Sequence, residues 1–441
     1  MKVNFNFSNI NLQEEKIKLE ESKLIDYTEH LKEVLKDNSY LLDEASLYLP
    51  FDTSFYEDST KLASKFKNEK LKYVFIVGIG GSNLGTQAIY NSIFGSLDYL
   101  NAEVRLPKLV FIETTSSKFV QSVFSIIENQ LHSKDEFILN IISKSGGTTE
   151  TIALAEIFIR KLQERFVTIN DRIVVTTDAN SKLEQMAQSN EYSVLTLPSK
   201  VGGRYSVFSN VGLFPLCLAG LDVERLLEGA KVALVDLVNT QETNPSLRSA
   251  VVRYLYKLEG KVINNQFFFN PELEYCGKWY RQLMGESIGK ENDINGNKVN
   301  EGIAPIVSIG STDLHSMVQL YIGGPRNILT YFIYSPNTDI NQKLPTDLEL
   351  DGLVSSIENK TTVELMNAIL EGTKAAYKKN NLPYIEVDIP LIDEYTLGMF
   401  LQYQMLEMMY LAKLLNVNAF DQPNVEDYKI ETKRILGVKQ G

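Results

Sequence analysis

The hydrophobic pattern changes character along the chain. Residues 15 to 45 carry two polar segments with helical spacing, EEKIKLEESKL and YTEHLKEVL. After Leu71 short apolar runs take over, rich in branched residues and closed by glycine or polar turns: YVFIVGIG, KLVFIETT, FILNIISKS, RIVVTTDA and YSVLTLPS. Segments of helical period, such as SSKFVQSVFSIIENQL, separate most of them. Short apolar strands alternating with helices predict a mainly parallel sheet covered on both faces. This block closes near Gly203. VFSNVGLFPLCLAGLDVERLLEGAKVAL then reads as a buried apolar segment followed by an amphipathic helix. A second alternating block begins near Ala250, with candidate strands VINNQFFF, APIVSIG, ILTYFIYS and YIEVDIP. The part from LGMFLQYQMLEMMYLAKLLNV onward is helical, and its methionines read as packing residues rather than a cofactor box. Chains of this architecture bind ligands beyond the C-terminal ends of the parallel strands.

Composition narrows the class. A chain of 441 residues, 44% hydrophobic and 23% charged, supports a large core divided between two or three domains. The net charge of −12, with no basic arm or arginine-rich stripe, argues against a nucleic-acid partner. Two lone cysteines, Cys217 and Cys276, imply no disulfide framework. No stretch reads as a signal peptide or a membrane span, so the expected compartment is the cytoplasm.

Two junctions carry the candidate chemistry. GIGGSNLG, Gly78 to Gly85, follows a strand directly. It fails as a dinucleotide fingerprint, because Asn83 stands where the third glycine belongs, and it fails as a Walker A phosphate loop, because no Gly-Lys-Ser/Thr follows. What remains is a tight turn with Ser82 at its tip, whose backbone amides suit a phosphate or carboxylate. The second junction, Ser143 to Thr149, crowds Ser143, Ser145, Thr148 and Thr149 around Gly146 and Gly147, between a strand and a helix. One threonine can cap the helix; one cap does not account for four hydroxyls. Hydroxyls and helix N–H groups together satisfy a phosphate monoester, with Lys144 adding a single charge.

Acid–base candidates are few. His30 and His132 read as surface residues. His315, in VSIGSTDLHSMVQL, sits just past a buried strand, early in the next helix, where an imidazole can move protons near neutral pH. Glu286 lies between two glycines in RQLMGESIGKE, read as a polar turn, and Arg204 follows two glycines in SKVGGRYSVFSN. FDQPNVEDYKIETKRIL supplies Gln422, Lys429, Lys433 and Arg434. No spacing suits a metal site or a catalytic serine elbow. A base, an acid, a cation and a phosphate cradle, with no cofactor motif, suit proton transfer beside a carbonyl.

GIGGSNLG, ISKSGGTTET, VGGRYSVFSNVG, MGESIGK with DLHS, and FDQPNVEDYK span most of the chain. In this order they closely resemble the glucose-6-phosphate isomerase (phosphoglucose isomerase) family, in its short bacterial form. The resemblance implies an α/β fold of two sugar-isomerase (SIS) type αβα sandwich domains with mainly parallel sheets. The expected division is an N-terminal helical extension at 1–48, a first SIS domain with the phosphate loops at 49–210, a helical connection at 211–250, a second SIS domain at 251–415, and a C-terminal segment with the active-site lysine at 416–441. It implies cofactor-independent, reversible conversion of glucose 6-phosphate and fructose 6-phosphate through a cis-enediol(ate), with no metal. Carried over by motif, Ser143, Lys144, Ser145 and Thr148 grip the phosphate, and Gly81, Ser82, Gln282 and Gln422 line the pocket. Glu286 is the general base, Arg204 steadies the enediolate, and His315 and Lys429 open the sugar ring. The resemblance also implies a homodimer in which His315 serves the neighbouring subunit's site, with neither nucleic acid nor membrane as a partner. One departure is Asn424, where the family has glycine before Val-Glu; asparagine tolerates left-handed backbone. The alternatives are a non-catalytic sugar-phosphate sensor and an isomerase of wider scope that also takes mannose 6-phosphate.

Overall fold

The computed structural model describes residues 2–100, 105–238, 244–337, 341–350 and 352–437. Its strands are β1 (Asn4–Asn6), β2 (Tyr73–Val77), β3 (Lys108–Ile112), β4 (Phe137–Ile142), β5 (Ile173–Asp178), β6 (Ser193–Leu197), β7 (Ile263–Phe268), β8 (Lys290–Asn292), β9 (Lys298–Glu301), β10 (Ala304–Ile309), β11 (Ile328–Tyr334) and β12 (Tyr384–Asp388). Each apolar run singled out above as a strand forms one. The reason is visible in burial: β2 and β4 are buried at every position, as strands covered on both faces must be.

The first sheet has the order β3-β2-β4-β5-β6, all parallel. Chain order reverses at β2, so the loops leaving β2 and β4 emerge side by side at the switch point. Open parallel sheets hold their ligands there. The two glycine- and hydroxyl-rich junctions are those two loops. The second sheet has the order β1-β12-β11-β7-β10; β12, β11, β7 and β10 run parallel, and β1 joins antiparallel to β12. β1 corrects one expectation. The N-terminal extension is not wholly helical: besides the helices Glu14–Ser22 and Ile25–Val34 it adds an edge strand to the second sheet. Three residues carry too little periodicity to signal a strand.

The two sheets share one core. A single apolar cluster contains Val74, Ile76, Ile138 and Ile142 from the first sheet together with Ile333, Ile385 and Val387 from the second. Its centre is the helix Glu394–Leu414, buried on every face from Thr396 to Ala412, which is why that segment lacks an amphipathic pattern. Met399, Met405, Met408 and Met409 are fully enclosed in it. The connection between the blocks is helical, with helices Asn210–Leu218, Val223–Val238 and Pro245–Leu258, the last running across residue 250. Residues 239–243 of that connection and 438–441 of the C-terminal segment lie outside the described residues. No helix among the described residues is long and apolar enough to cross a membrane.

Candidate active site

The loop after β2 is shaped by what lies against it. Gly80 has φ +60, and a Cβ there would sit 2.9 Å from Gln282 Nε2. A Cβ on Gly81 would fall 2.2 Å from the carbonyl carbon of Gly203 and 2.6 Å from the Arg204 nitrogen. Glycine at 81 therefore lets two backbone segments, far apart in sequence, touch, and glycine at 80 leaves room for the Gln282 amide. Ser82 closes a short 3-10 turn, Gly80–Ser82. Behind it the buried Asn83 donates to the Gly78 carbonyl (2.8 Å) and to Glu113 Oε2 (2.9 Å), which fixes the turn to the end of β3.

The loop after β4 leads into the 18-residue helix Thr149–Phe166. The buried Ser143 donates its N–H to the Thr176 carbonyl (3.1 Å), while its Oγ has no protein partner. A buried hydroxyl left unsatisfied is costly unless a ligand or water completes it. The Lys144 carbonyl accepts from Asp178 N–H (3.0 Å) and Thr177 Oγ1 (3.1 Å), so the loop is pinned to β5. Ser145 Oγ accepts from Gly147 N–H (3.2 Å). Thr148 occupies the N-cap position in extended geometry, yet its side chain makes no capping bond. The expected threonine cap is therefore absent, and the first N–H groups of the helix point out unclaimed by any side chain at the cap. Those donors, together with the Ser143 and Thr148 hydroxyls, suit an anion with several acceptor oxygens. Burial presses the Lys144 pKa down; Asp178 opposes this, while Arg204 and Lys200 add to it. A bound dianion would oppose the effect of burial on the lysine.

The third group gathers around Arg204, in the 3-10 turn Gly203–Tyr205. Its guanidinium is 1% exposed. Nε donates to Ser287 Oγ (2.9 Å), and Nη1 donates to Glu286 Oε2 (3.1 Å) and Gln422 Oε1 (2.8 Å). Nη2 donates to the carbonyls of Ala419 (2.5 Å) and Asp421 (3.2 Å). The second oxygen of Glu286 accepts from Gln282 Nε2 (3.0 Å), one turn earlier. Glu286 does not lie in a polar turn, as its flanking glycines suggested. It ends the helix Glu274–Ile288, whose last residues lead directly into β8. Nothing lies within 4 Å of the Cβ position at Gly285, so no close packing calls for glycine there. Glu286 keeps 30% of its side chain exposed, so a carboxylate flanked by a buried cation and an amide faces open space.

The structure thus brings together Gly81, Arg204, Gln282, Glu286 and Gln422. It does not bring His315 or Lys429 to them within one chain. His315 is exposed, at the end of the 3-10 turn Thr312–Leu314 rather than inside a helix, and its imidazole has no partner among the described residues. Lys429 donates to Glu426 (2.6 Å) on the helix Val425–Ile435, which has no buried residue. Asn424 precedes that helix at φ −68, so left-handed tolerance is not what the position requires; its amide instead donates to Glu291 Oε2 (3.2 Å). His30 and His132 are exposed, and among the described residues no group of three His, Cys, Asp or Glu side chains is gathered for a metal. Sequence reasoning missed Ser287, Lys290 and Asp421. All three stand inside quoted motifs, Ser287 and Asp421 directly beside residues to which a role was given.

The fold is that of the phosphosugar isomerases. A hypothetical protein of Thermus thermophilus superposes with a TM-score of 0.87 at 25% identity, covering 98% of this chain and 99% of its own. A glucose-6-phosphate isomerase from Chlamydia trachomatis superposes at 0.80 with 18% identity, over 99% of this chain and 88% of that one. Tagatose-6-phosphate ketose/aldose isomerase from Escherichia coli shares the fold at 0.53, with 11% identity over 88% of this chain and 95% of that one. The chain belongs to the phosphoglucose isomerase family, whose profile matches residues 60–440. Glucose-6-phosphate isomerases of Bacillus cytotoxicus and Clostridioides difficile are 32% and 33% identical to it, over 89% and 88% of this chain and 85% of theirs.

Proposed function

We propose that the protein interconverts glucose 6-phosphate and fructose 6-phosphate, with Glu286 as the proton carrier. The phosphate lies in the Ser143–Thr148 loop, against the first N–H groups of the helix Thr149–Phe166, with Ser82 and Lys144 beside it. Glu286 takes the proton from C2 of the open-chain aldose as the C2–H electron pair forms the enediolate. The guanidinium of Arg204 offsets the charge on the enediolate oxygen. The hydroxyl proton passes from O2 to O1, and Glu286 then returns the carbon-bound proton to C1, which leaves C2 as the carbonyl of the ketose. Gln282 and Gln422 orient the carboxylate and the guanidinium. His315, from a partner subunit, and Lys429 move the proton that opens the ring.

The observation that carries this reading is the setting of Glu286: a half-open carboxylate whose two oxygens accept from Arg204 at 3.1 Å and Gln282 at 3.0 Å. A sensor needs the hydroxyl cradle alone and has no use for a base so held. The experiment supplies fructose 6-phosphate in deuterated water to the parent and to Glu286→Gln, and follows products by NMR. The expected result is glucose 6-phosphate from the parent, labelled at C2 where exchange outpaces return. The variant, which keeps the shape and loses the base, is expected to bind without turnover. Near-parental turnover by Glu286→Gln removes Glu286 from the reaction. Binding without turnover by the parent favours the sensor.

A further inference from the structure

Lys290 is the second buried cation of the cluster, and the reaction just described leaves it without a task. Its side chain is 4% exposed. It opens β8, which pairs antiparallel with β9 in the register Lys290 to Glu301, so its backbone is held by a hairpin independently of the helix before it. Its ammonium has three N–H donors. One goes to the backbone carbonyl of Glu286 (2.8 Å), one to the carboxylate of Asp421 (2.9 Å), and one to the Asp421 carbonyl in a short bond. No donor is left for a substrate oxygen, and none goes to the Glu286 carboxylate. Lys290 therefore acts through other residues.

Those residues are the ones that hold the reacting groups. The Glu286 carbonyl belongs to the last turn of its helix, where carbonyls lack helical partners and accept from cations. The Asp421 carbonyl also accepts from Arg204 Nη2 (3.2 Å), so one oxygen is shared by two cations. On either side of it stand Ala419 and Gln422, both bonded to the same guanidinium. The segment Ala419–Gln422 is thus attached to the helix end through Lys290 and to Arg204 through three contacts. Burial presses the Lys290 pKa down, and Asp421 opposes this. An ammonium is enclosed this far only when its donors are all used.

We propose that Lys290 is a positioning residue: its ammonium clasps the Asp421 segment to the end of the Glu286 helix and so keeps Arg204 and Gln422 in register with the Glu286 carboxylate. The inference rests on the proposed role of Glu286. It assigns Lys290 to the geometry of the proton-transfer step and not to phosphate binding, which belongs to a separate loop.

The test uses full-length Lys290→Met and Lys290→Ala. Methionine keeps the volume and removes every donor; alanine leaves the space of a short alkylammonium. Lys290 and Asp421 both line a cleft of about 720 Å³, which gives small amines a way to that space. A lost register of about an ångström predicts kcat for fructose 6-phosphate lower by roughly 10- to 100-fold in both variants, with KM within about threefold of the parent. Methylammonium chloride should raise kcat of Lys290→Ala by about fivefold or more, while tetramethylammonium chloride, which has no N–H donor, should leave it unchanged. Lys290→Met should not respond to either salt. Parental kcat in Lys290→Met overturns the inference, as does a folded Lys290→Ala that methylammonium does not rescue. Should Lys290→Ala fail to fold, the split between kcat and KM in Lys290→Met decides alone. A parent without turnover refutes the proposed function instead, so the two failures are distinguishable.

Discussion

Gly81→Ala separates the placement of Arg204 from the chemistry proposed for it, because the substitution removes neither a charge nor a hydroxyl. The added Cβ would stand 2.2 Å from the carbonyl carbon of Gly203 and 2.6 Å from both the Gly203 Cα and the Arg204 nitrogen. Carbon contacts under 3.0 Å do not persist, so the two segments must separate from 2.2 to at least 3.0 Å, a shift of about 0.8 Å. All the opposing atoms are backbone, and no flexible side chain can absorb the strain. The guanidinium bonds to Ser287 (2.9 Å), Glu286 (3.1 Å) and Gln422 (2.8 Å) lengthen toward or beyond useful range if the shift reaches them. A misplacement of this order is expected to lower kcat about 100-fold, or roughly 3 kcal/mol of barrier. The overpacking itself costs about 1–3 kcal/mol of stability. The assay couples glucose 6-phosphate formation to a dehydrogenase, with urea unfolding to show that the variant is folded. Gly372→Ala is the control: it lies exposed on the helix Thr362–Lys379 with nothing within 4 Å of the new Cβ. A folded Gly81→Ala with kcat within about threefold of the parent would refute the claim that this contact sets the position of Arg204.

Three further outcomes follow from particular contacts. Thr148→Ala should weaken sugar-phosphate binding by about 1–3 kcal/mol and leave the melting temperature nearly unchanged, since its hydroxyl makes no capping bond; a fall in stability with unchanged affinity, read by calorimetry, would reverse the assignment. Although burial presses the Asp98 pKa up, hydrogen bonds from Arg105, Tyr90 and Lys108 hold it below its usual 3.8. Its stabilising effect is therefore present above that value and lost as pH falls through the lower folded value. Asp98→Asn should cost about 3–5 kcal/mol at pH 7, and urea midpoints should show the gap to the parent narrowing below about pH 4. If the chain forms the proposed dimer, His315→Ala and Glu286→Gln should each be defective alone, while mixed dimers regain activity at the site that has both groups. Failure of subunit mixing to restore turnover would place His315 in its own chain's site or outside the reaction.

Much of the fold was legible because buried parallel strands are short, apolar and regularly interrupted; β2 through β7 and β10 through β12 each follow such a run. β1 was not, since three residues on a sheet edge gain their order from β12 and not from their own pattern. At the site, local chemistry was readable and distant convergence was not. The hydroxyls of Ser143 and Thr148 pointed to an anion cradle by residue type and spacing, and the structure leaves the Ser143 Oγ without a protein partner. Nothing near Gly81 in sequence tells that Gly203 lies against it. Glycines on both sides of Glu286 suggested a turn, yet packing of the helix Glu274–Ile288 against the core outweighed that propensity, with Trp279, Tyr280, Leu283 and Met284 enclosed. Lys290 and Asp421 were overlooked because their roles depend on contacts across 131 residues.

The arrangement also bears on how a buried arginine can be retained without slowing the reaction. In the free protein its charge is balanced by Glu286, and its remaining donors are met by Ser287, Gln422 and two carbonyls. In the proposed step the carboxylate takes a proton and becomes neutral as the enediolate becomes anionic. The guanidinium therefore faces one negative charge before proton transfer and one after it, and only the bearer changes. Little solvent or side-chain rearrangement is needed when the donors are already fixed, which is the condition under which electrostatic stabilisation is most effective. That condition fails if the guanidinium can follow the carboxylate. The contacts to Ala419, Asp421 and Ser287 prevent it, because none of them changes charge during the reaction.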